Sequence, residues 1–535
     1  MISSERPNKG ILKAAPTASV AMMCLLYLLS PTASVRTITV DDDGPADFQT
    51  IQAAIDASTD GDTVLVAPGT YIGDGNRDID FKGKAITVKS EQGPQTCIID
   101  CQGTEDEQHR GFIFHTREDA NSILQGFTIT NGYTIEITIE GKIYGTYGGG
   151  IFCDASSPFI KNCIVTKNTA LSGGGITCDS SNAIITNCII VGNRAERKNG
   201  GGIFCMYGSP HIFDCLITEN TAFEMGGGVK CDYSDQTIAR CVIRNNAADV
   251  GGGVGIGNRY GYDMLSLLTM TNCLITGNKA KLGGGMYCKG ENTITNCFII
   301  GNKSEGSGGG IHCSGEITIL NCTISGNRTN YDGGGGGIQF RSAGKVNNSI
   351  IYGNITPRAE GKEIYLGPYG AGGCRPDLVK ITHSVVGTDP NAINIPRCLS
   401  GEWLHVDPLF ANPGYWDLNS TPDDPNDDFW VEGDYHLKSQ AGRWDPNSES
   451  WIQDDVTSPC IDAGDPNSPI GHEPFPNGGI INMGAYGGTA EASKSYFGEP
   501  VCRTIVGGDI NGDCKVDFND FVILALHWLE DNSGH

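Results

Sequence analysis

Three aspartates share one place in a repeating pattern. Asp154, Asp179 and Asp232 each follow a recurring cysteine directly, and Met206 interrupts the series before the last. If the repeats stack as parallel strands, Asp154 and Asp179 lie about 5 Å apart. That separation suits a metal pair or the carboxylate pair of a retaining glycosidase. An aspartate followed by serines is equally a turn former. A second group joins Asp214, Lys230, Arg240 and Arg244, with His211 nearby; Asp214 and Arg240 replace the asparagine that precedes a cysteine in other repeats. Departures from a repeat often mark function, although such charges also form solvated ion pairs. The third place is "GIGNRYGYDMLSLL", which puts Ile256 in a cysteine position and brings Arg259, Tyr260, Tyr262 and Asp263. Insertions in repeat folds project from one face, often the binding face. Here Arg259 is a catalytic candidate, and Tyr260 and Tyr262 are substrate contacts. The fourth is "DINGDCKVDFND". Asp509, Asn511, Asp513, Asp517 and Asp520 take positions one, three, five, nine and twelve of a calcium loop, and Lys515 offers its carbonyl at position seven.

The elements that must position these residues follow from one period. Glycine triplets open at Gly148, Gly173, Gly200, Gly226, Gly251, Gly283, Gly308 and, within a longer run, Gly335, at spacings of 25, 27, 26, 25, 32, 25 and 27 residues. A fixed period of this size is the mark of a solenoid. Apolar and polar residues alternate over short runs, so the unit is strands. The spacing predicts rungs of three short strands stacked about 4.8 Å apart. One cysteine column runs Cys153, Cys178, Cys205, Cys231, Cys288, Cys313, and a second runs Cys163, Cys188, Cys215, Cys241, Cys273, Cys297, Cys322. Both are in phase with inward isoleucines, and free cysteine packs as a small hydrophobe. The column Asn168, Asn193, Asn220, Asn278, Asn302, Asn327, Asn354 is expected to turn left-handed corners and to bond amide to amide.

This pattern resembles the right-handed parallel β-helix family of pectate lyases and polygalacturonases. The opening segment "DFQTIQAAIDASTDGDTVLVAPGTY" strengthens the resemblance. It implies an amphipathic helix plugging one end of the solenoid. Here Phe48, Ile51, Ala54 and Ile55 follow helical spacing, and Asp47 is the expected N-cap. The resemblance spans residues 38 to 490. It implies an all-β fold, and it leaves activity open, because one fold hosts many functions. No stretch matches a catalytic motif of those enzymes.

Composition sets further bounds. The chain has 535 residues, 75 glycines and a formal net charge of −25. Such charge argues against nucleic acid and fits a secreted protein or one using divalent cations. Residues 1–34 read as a signal peptide: Lys9 and Lys13, then "AMMCLLYLL", then "SPTAS". That run is too short to span a membrane. In-register parallel strands give poor geometry for bridges within the cysteine columns. Cys374 with Cys398, and Cys502 with Cys514, are the disulfide candidates. The expected organisation is 35–147 for the N-terminal cap and first coils, 148–354 for regular rungs, 355–495 for last coils and a C-terminal cap, and 496–535 for the tail.

The tail, with "FVILALHWL" after the calcium loop, resembles one half of a dockerin, the module that docks secreted enzymes onto partners. The likeness implies Ca2+ and a cohesin-like or cell-surface partner. Cys514 stands where the loop usually has glycine, and the chain carries one loop where a dockerin has two. Five of six tryptophans lie between 403 and 451. Trp416 and Trp430 are candidate sugar contacts, or they fill the cap's own core. Two functions fit: a secreted, monomeric polysaccharide lyase or glycoside hydrolase, with a possible second Ca2+ site on the β-helix, or a non-catalytic structural or adhesin-type protein.

Overall fold

The computed structural model describes residues 35–135, 137–139, 142–144, 147–257, 266–357, 360–367, 378–394, 398–421, 427–498, 516 and 518–527. Within them, four long parallel sheets of 14, 13, 11 and 8 strands run the length of a β-helix. Each rung visits the sheets in a fixed order. In the rung opening at Gly148, Ile151–Asp154 joins the 11-strand sheet and Phe159–Lys161 the 14-strand sheet. Ile164–Thr166 then joins the 13-strand sheet and Thr169–Ala170 the 8-strand sheet. The rung therefore holds four strands, not three. The extra two-residue strand arises because the chain continues past the ladder asparagine before reversing at the glycine triplet. That detour lays a second layer over the outer face of the 11-strand sheet, where Met225 and Val250 pack on Tyr287. Gly226 turns with φ +68, and a Cβ there would meet the carbonyl of Val229 and the side chain of Lys230.

The interior is one continuous core from Ile38 to Cys398. Both cysteine columns point inward, buried and free. Burial pushes the Cys288 and Cys297 thiols up, away from the reactive thiolate form. Cys398 is disulfide-bonded, whereas Cys374, Cys502 and Cys514 lie outside the described residues.

The asparagine column forms the expected ladder, but not at left-handed corners. Asn168 Nδ2 donates to Asn193 Oδ1 at 3.1 Å, and the bond recurs through Asn220, Asn246, Asn278, Asn302 and Asn327 to Asn354 at 2.9–3.1 Å. Asn246, absent from the sequence reading, completes the series. The carboxylate of Glu363 ends it, accepting from Asn354 Nδ2. The left-handed backbone belongs to a different set: Asn162, Asn187, Asn272, Asn296 and Asn321, each just before the second cysteine column, and Asn348 before Ser349, which takes the cysteine's place.

A helix at Ile51–Ala57 packs Ile51, Ala54 and Ile55 onto the first strands. Its N-cap is Thr50, not Asp47, whose carboxylate accepts from Thr39 N and Oγ1. After Trp403–Leu404 the chain leaves the solenoid and packs along its side. Phe410, Tyr435, Leu437 and Met483 form a second core with Ile300, Ile350 and Val385 of the 13-strand sheet. A hairpin, Tyr415–Asp417 with Phe429–Val431, is latched onto two rung corners. The Trp430 ring lies flat where any Cβ at Gly301 or Gly326 would strike it, Trp416 Nε1 donates to Gly326 O at 2.8 Å, and Arg328 pairs with the buried Asp428 at 2.5 Å. Trp430→Ala is expected to release this hairpin at a cost of about 2–4 kcal/mol. Hydrogen exchange should then quicken across 410–437 and stay unchanged in rungs 148–257.

Candidate functional site

The corner between the 11- and 14-strand sheets collects chemistry on one edge. Asp154 pairs with Asp179, Asp179 with Met206 and Met206 with Asp232, in strict parallel register. Asp154 is exposed and Asp179 half-buried. Burial pushes the Asp179 carboxyl up; a bond from Ser180 Oγ at 3.1 Å pulls it partly back, and the charge of Asp154 adds to the rise. Each of these columns is followed by a left-handed residue: Ala155, Ser180, Tyr207 and Tyr233. At Tyr207 (φ 55) and Tyr233 (φ 48) this is a rare conformation for a bulky side chain, of the kind held at functional sites. The two rings stack at 5.3 Å and 15°, and Tyr207 is 60% exposed. They form an open aromatic platform one rung from Asp179.

Lys230 belongs to this corner from within. It is fully buried, and its ammonium donates to Asp232 Oδ1 at 2.5 Å, Gly257 O at 2.9 Å and Cys231 O at 3.1 Å. Gly255, on the next rung, leaves room for its stem. So Lys230 ties Asp232 to Gly257 on the next rung. Its ammonium is buried and engaged by these three acceptors, which fits a structural tie. Lys230→Met is expected to destabilise the fold by about 3–5 kcal/mol, because the Asp232 carboxylate loses its counter-ion. Chemical denaturation of Lys230→Met and of Lys230→Met with Asp232→Ser checks this; the pair should recover most of the loss.

The second group of the sequence reading does not exist as a cluster. Asp214 and Arg240 sit at the corner between the 14- and 13-strand sheets, away from Lys230, because ten residues carry the chain around the rung. Arg240 grips Asp214 with Nε–Oδ1 at 2.6 Å and Nη2–Oδ2 at 2.8 Å, and covers the Phe213 ring. His211 stacks on the same ring at 5.7 Å, and Arg244 points outward on the 13-strand sheet. This is an exposed ion pair in two left-handed corner positions. Arg259, Tyr260, Tyr262 and Asp263 lie outside the described residues, as do Asp509, Asn511, Asp513, Lys515 and Asp517. Asp520 is in the helix Phe518–His527. Among the described residues, the one trio of acidic side chains close enough to share an ion is Asp41, Asp42 and Asp43, far from Asp154 and Asp179.

A further feature escaped sequence reading. Past the insertion, the outer face of the 14-strand sheet holds a cleft of about 350 Å³. Glu291 and Glu316 are register partners there, and so are Lys345 and Lys380. All four are exposed, and the Thr293–Thr318 pair lies between them. The tyrosine platform lies on earlier rungs than this cleft along the solenoid axis.

Residues 74–236 and 142–299 match the family described as right handed beta helix region, and residues 406–464 match the family described as disaggregatase related. The fold is accordingly a right-handed parallel β-helix. No curated protein matches the chain. Among solved structures, the pectate lyase Pel9A is similar at 17% identity and TM-score 0.39, covering 85% of this chain and 97% of its own. A rhamnogalacturonan lyase shares 11% identity at TM-score 0.31, covering 70% and 90%. A mannuronic acid specific polysaccharide family 6 lyase from human gut microbiota shares 12% at 0.33, covering 69% and 83%. These likenesses carry no argument about chemistry. Among the described residues, no helix is long and apolar enough to cross a membrane.

Proposed function

We propose that this chain is a secreted polysaccharide-binding β-helix protein that cleaves a glycosidic bond at the Asp154–Asp179 corner. The observation that carries this reading is the stacked Tyr207–Tyr233 pair, with Tyr207 exposed and Tyr233 half-buried, beside a half-buried carboxyl. Aromatic faces held rigidly at one spacing suit the apolar faces of sugar rings. Asp179 keeps its proton to higher pH than an ordinary aspartate and gives it to the leaving oxygen. Asp154, one rung away at about 4.8 Å, supplies the carboxylate. That separation is close to the ~5 Å of retaining enzymes. The cleft with Glu291, Glu316, Lys345 and Lys380 extends the same track. The tail attaches the protein through a Ca2+ loop built from Asp509, Asn511, Asp513, Lys515, Asp517 and Asp520; the ligand spacing supports this.

The test is a panel of neutral and acidic polysaccharides, with and without Ca2+. It is scored by binding, by new reducing ends and by ultraviolet absorbance of unsaturated uronates. Reducing ends without absorbance are expected. Absorbance would replace hydrolysis by elimination and direct attention to Arg259, Lys345 and Lys380. Binding without cleavage would favour the adhesin reading. Tyr207→Ala is expected to weaken binding about tenfold, the value of one lost stacking contact of roughly 1.4 kcal/mol, with the unfolding midpoint unchanged.

A further inference from the structure

Six successive rungs place an apolar side chain at one outward position of the 13-strand sheet. Ile164, Ile189, Leu216, Val242, Leu274 and Phe298 stand in register. From Leu274 onward this ridge is roofed. Leu274 and Phe298 pack against the second core, and Tyr486 meets Phe298 edge-on at 4.9 Å. The four preceding residues take no part in that core and remain partly open, Ile189 at 38% exposure. Elsewhere in the chain an apolar helix is likewise uncovered. In Phe518–His527, Phe518 is 74% exposed, Phe521 59% and Val522 39%. With Ala525 they fall at i, i+3, i+4 and i+7, a single stripe that a stable helix buries.

We propose that the C-terminal helix Phe518–His527 docks on the ridge Ile164–Val242 of its own chain. The lengths agree: ten helical residues span about 15 Å, and four rungs span about 14 Å. The reach is ample. Glu491 already lines a cleft with Leu274, one rung from Val242. Residues 499–515 extend to as much as ~60 Å. The docked helix continues an interface that the chain has already built, since residues 410–491 roof the same ridge further along. It also limits the tail: the helix meets an outside partner only after leaving the ridge. None of this depends on the cleavage proposed above.

The experiment uses the full chain with p-benzoylphenylalanine at position 189, irradiated and analysed by peptide mass spectrometry. The expected product has the mass of one chain and joins position 189 to residues 516–527. Phe521→Asp should cut its yield at least fivefold, and the same probe at position 415, on the far hairpin, should not capture the tail. A product of twice the mass would overturn the proposal in favour of a second copy as occupant. Absence of any tail peptide from the products, or a yield indifferent to Phe521→Asp, would overturn it outright.

Discussion

Asn246→Leu is expected to lower the stability of the central rungs by about 2–6 kcal/mol. The side-chain oxygen of Asn246 accepts from both Asn220 N, at 2.9 Å, and Asn220 Nδ2, at 3.0 Å. Its amide in turn donates to Ile217 O and Asn278 Oδ1. Leucine fills the space and supplies none of these partners. Two N–H donors of Asn220 are then left without an acceptor where no water reaches, at about 1–3 kcal/mol each. Because each rung touches only its neighbours, the damage begins locally. The midpoint of the first unfolding transition should fall, and exchange should accelerate first at rungs 220–278. An unchanged midpoint would mean that the amide column contributes nothing beyond the strands.

Asp179→Asn is expected to abolish cleavage, lowering kcat by about 10²–10⁴-fold, the usual contribution of a positioned general acid. The amide keeps the size of the carboxyl and the register with Asp154, so polysaccharide binding at Tyr207 and Tyr233 should persist. The pH dependence has a definite sign. Burial raises Asp179, so its protonated form survives to higher pH than in an ordinary aspartate. Activity should therefore fall as pH rises through that raised value. Asp154→Asn should remove activity without removing this alkaline limb from any residual rate. A kcat unchanged in Asp179→Asn would leave the corner as a binding surface only.

The glycine triplets and cysteine columns are legible in the chain because every rung demands them at the same place. The inward direction of Cys188 follows from its phase with Ile190. The conformation of each asparagine does not, since Asn187 and Asn193 look alike in a string of letters. Only the backbone shows that the first turns left-handed and the second builds the ladder. Lys230 and Arg240 seem neighbours at ten residues, yet that distance carries the chain onto another sheet. Nothing in the letters alone sets Tyr207 and Tyr233 apart as a pair. Their signal is positional: they follow Met206 and Asp232 where Ala155 and Ser180 follow Asp154 and Asp179. Glu291 with Glu316, and Lys345 with Lys380, become pairs only once the register is known, because the two spacings differ and no repeat motif marks them.

The rung-by-rung register makes the molecule a ruler with fixed graduations. Any whole rung added between Tyr233 and Lys345 would keep every ladder intact and move the aromatic platform from the lysine pair by one step of about 4.8 Å. A fraction of a rung is not allowed, since it would turn the amides and thiols out of line. The distance between features along this surface is therefore quantised. A bound chain whose repeat is close to that step could be matched, or deliberately mismatched, by duplication of about 25 residues at a time.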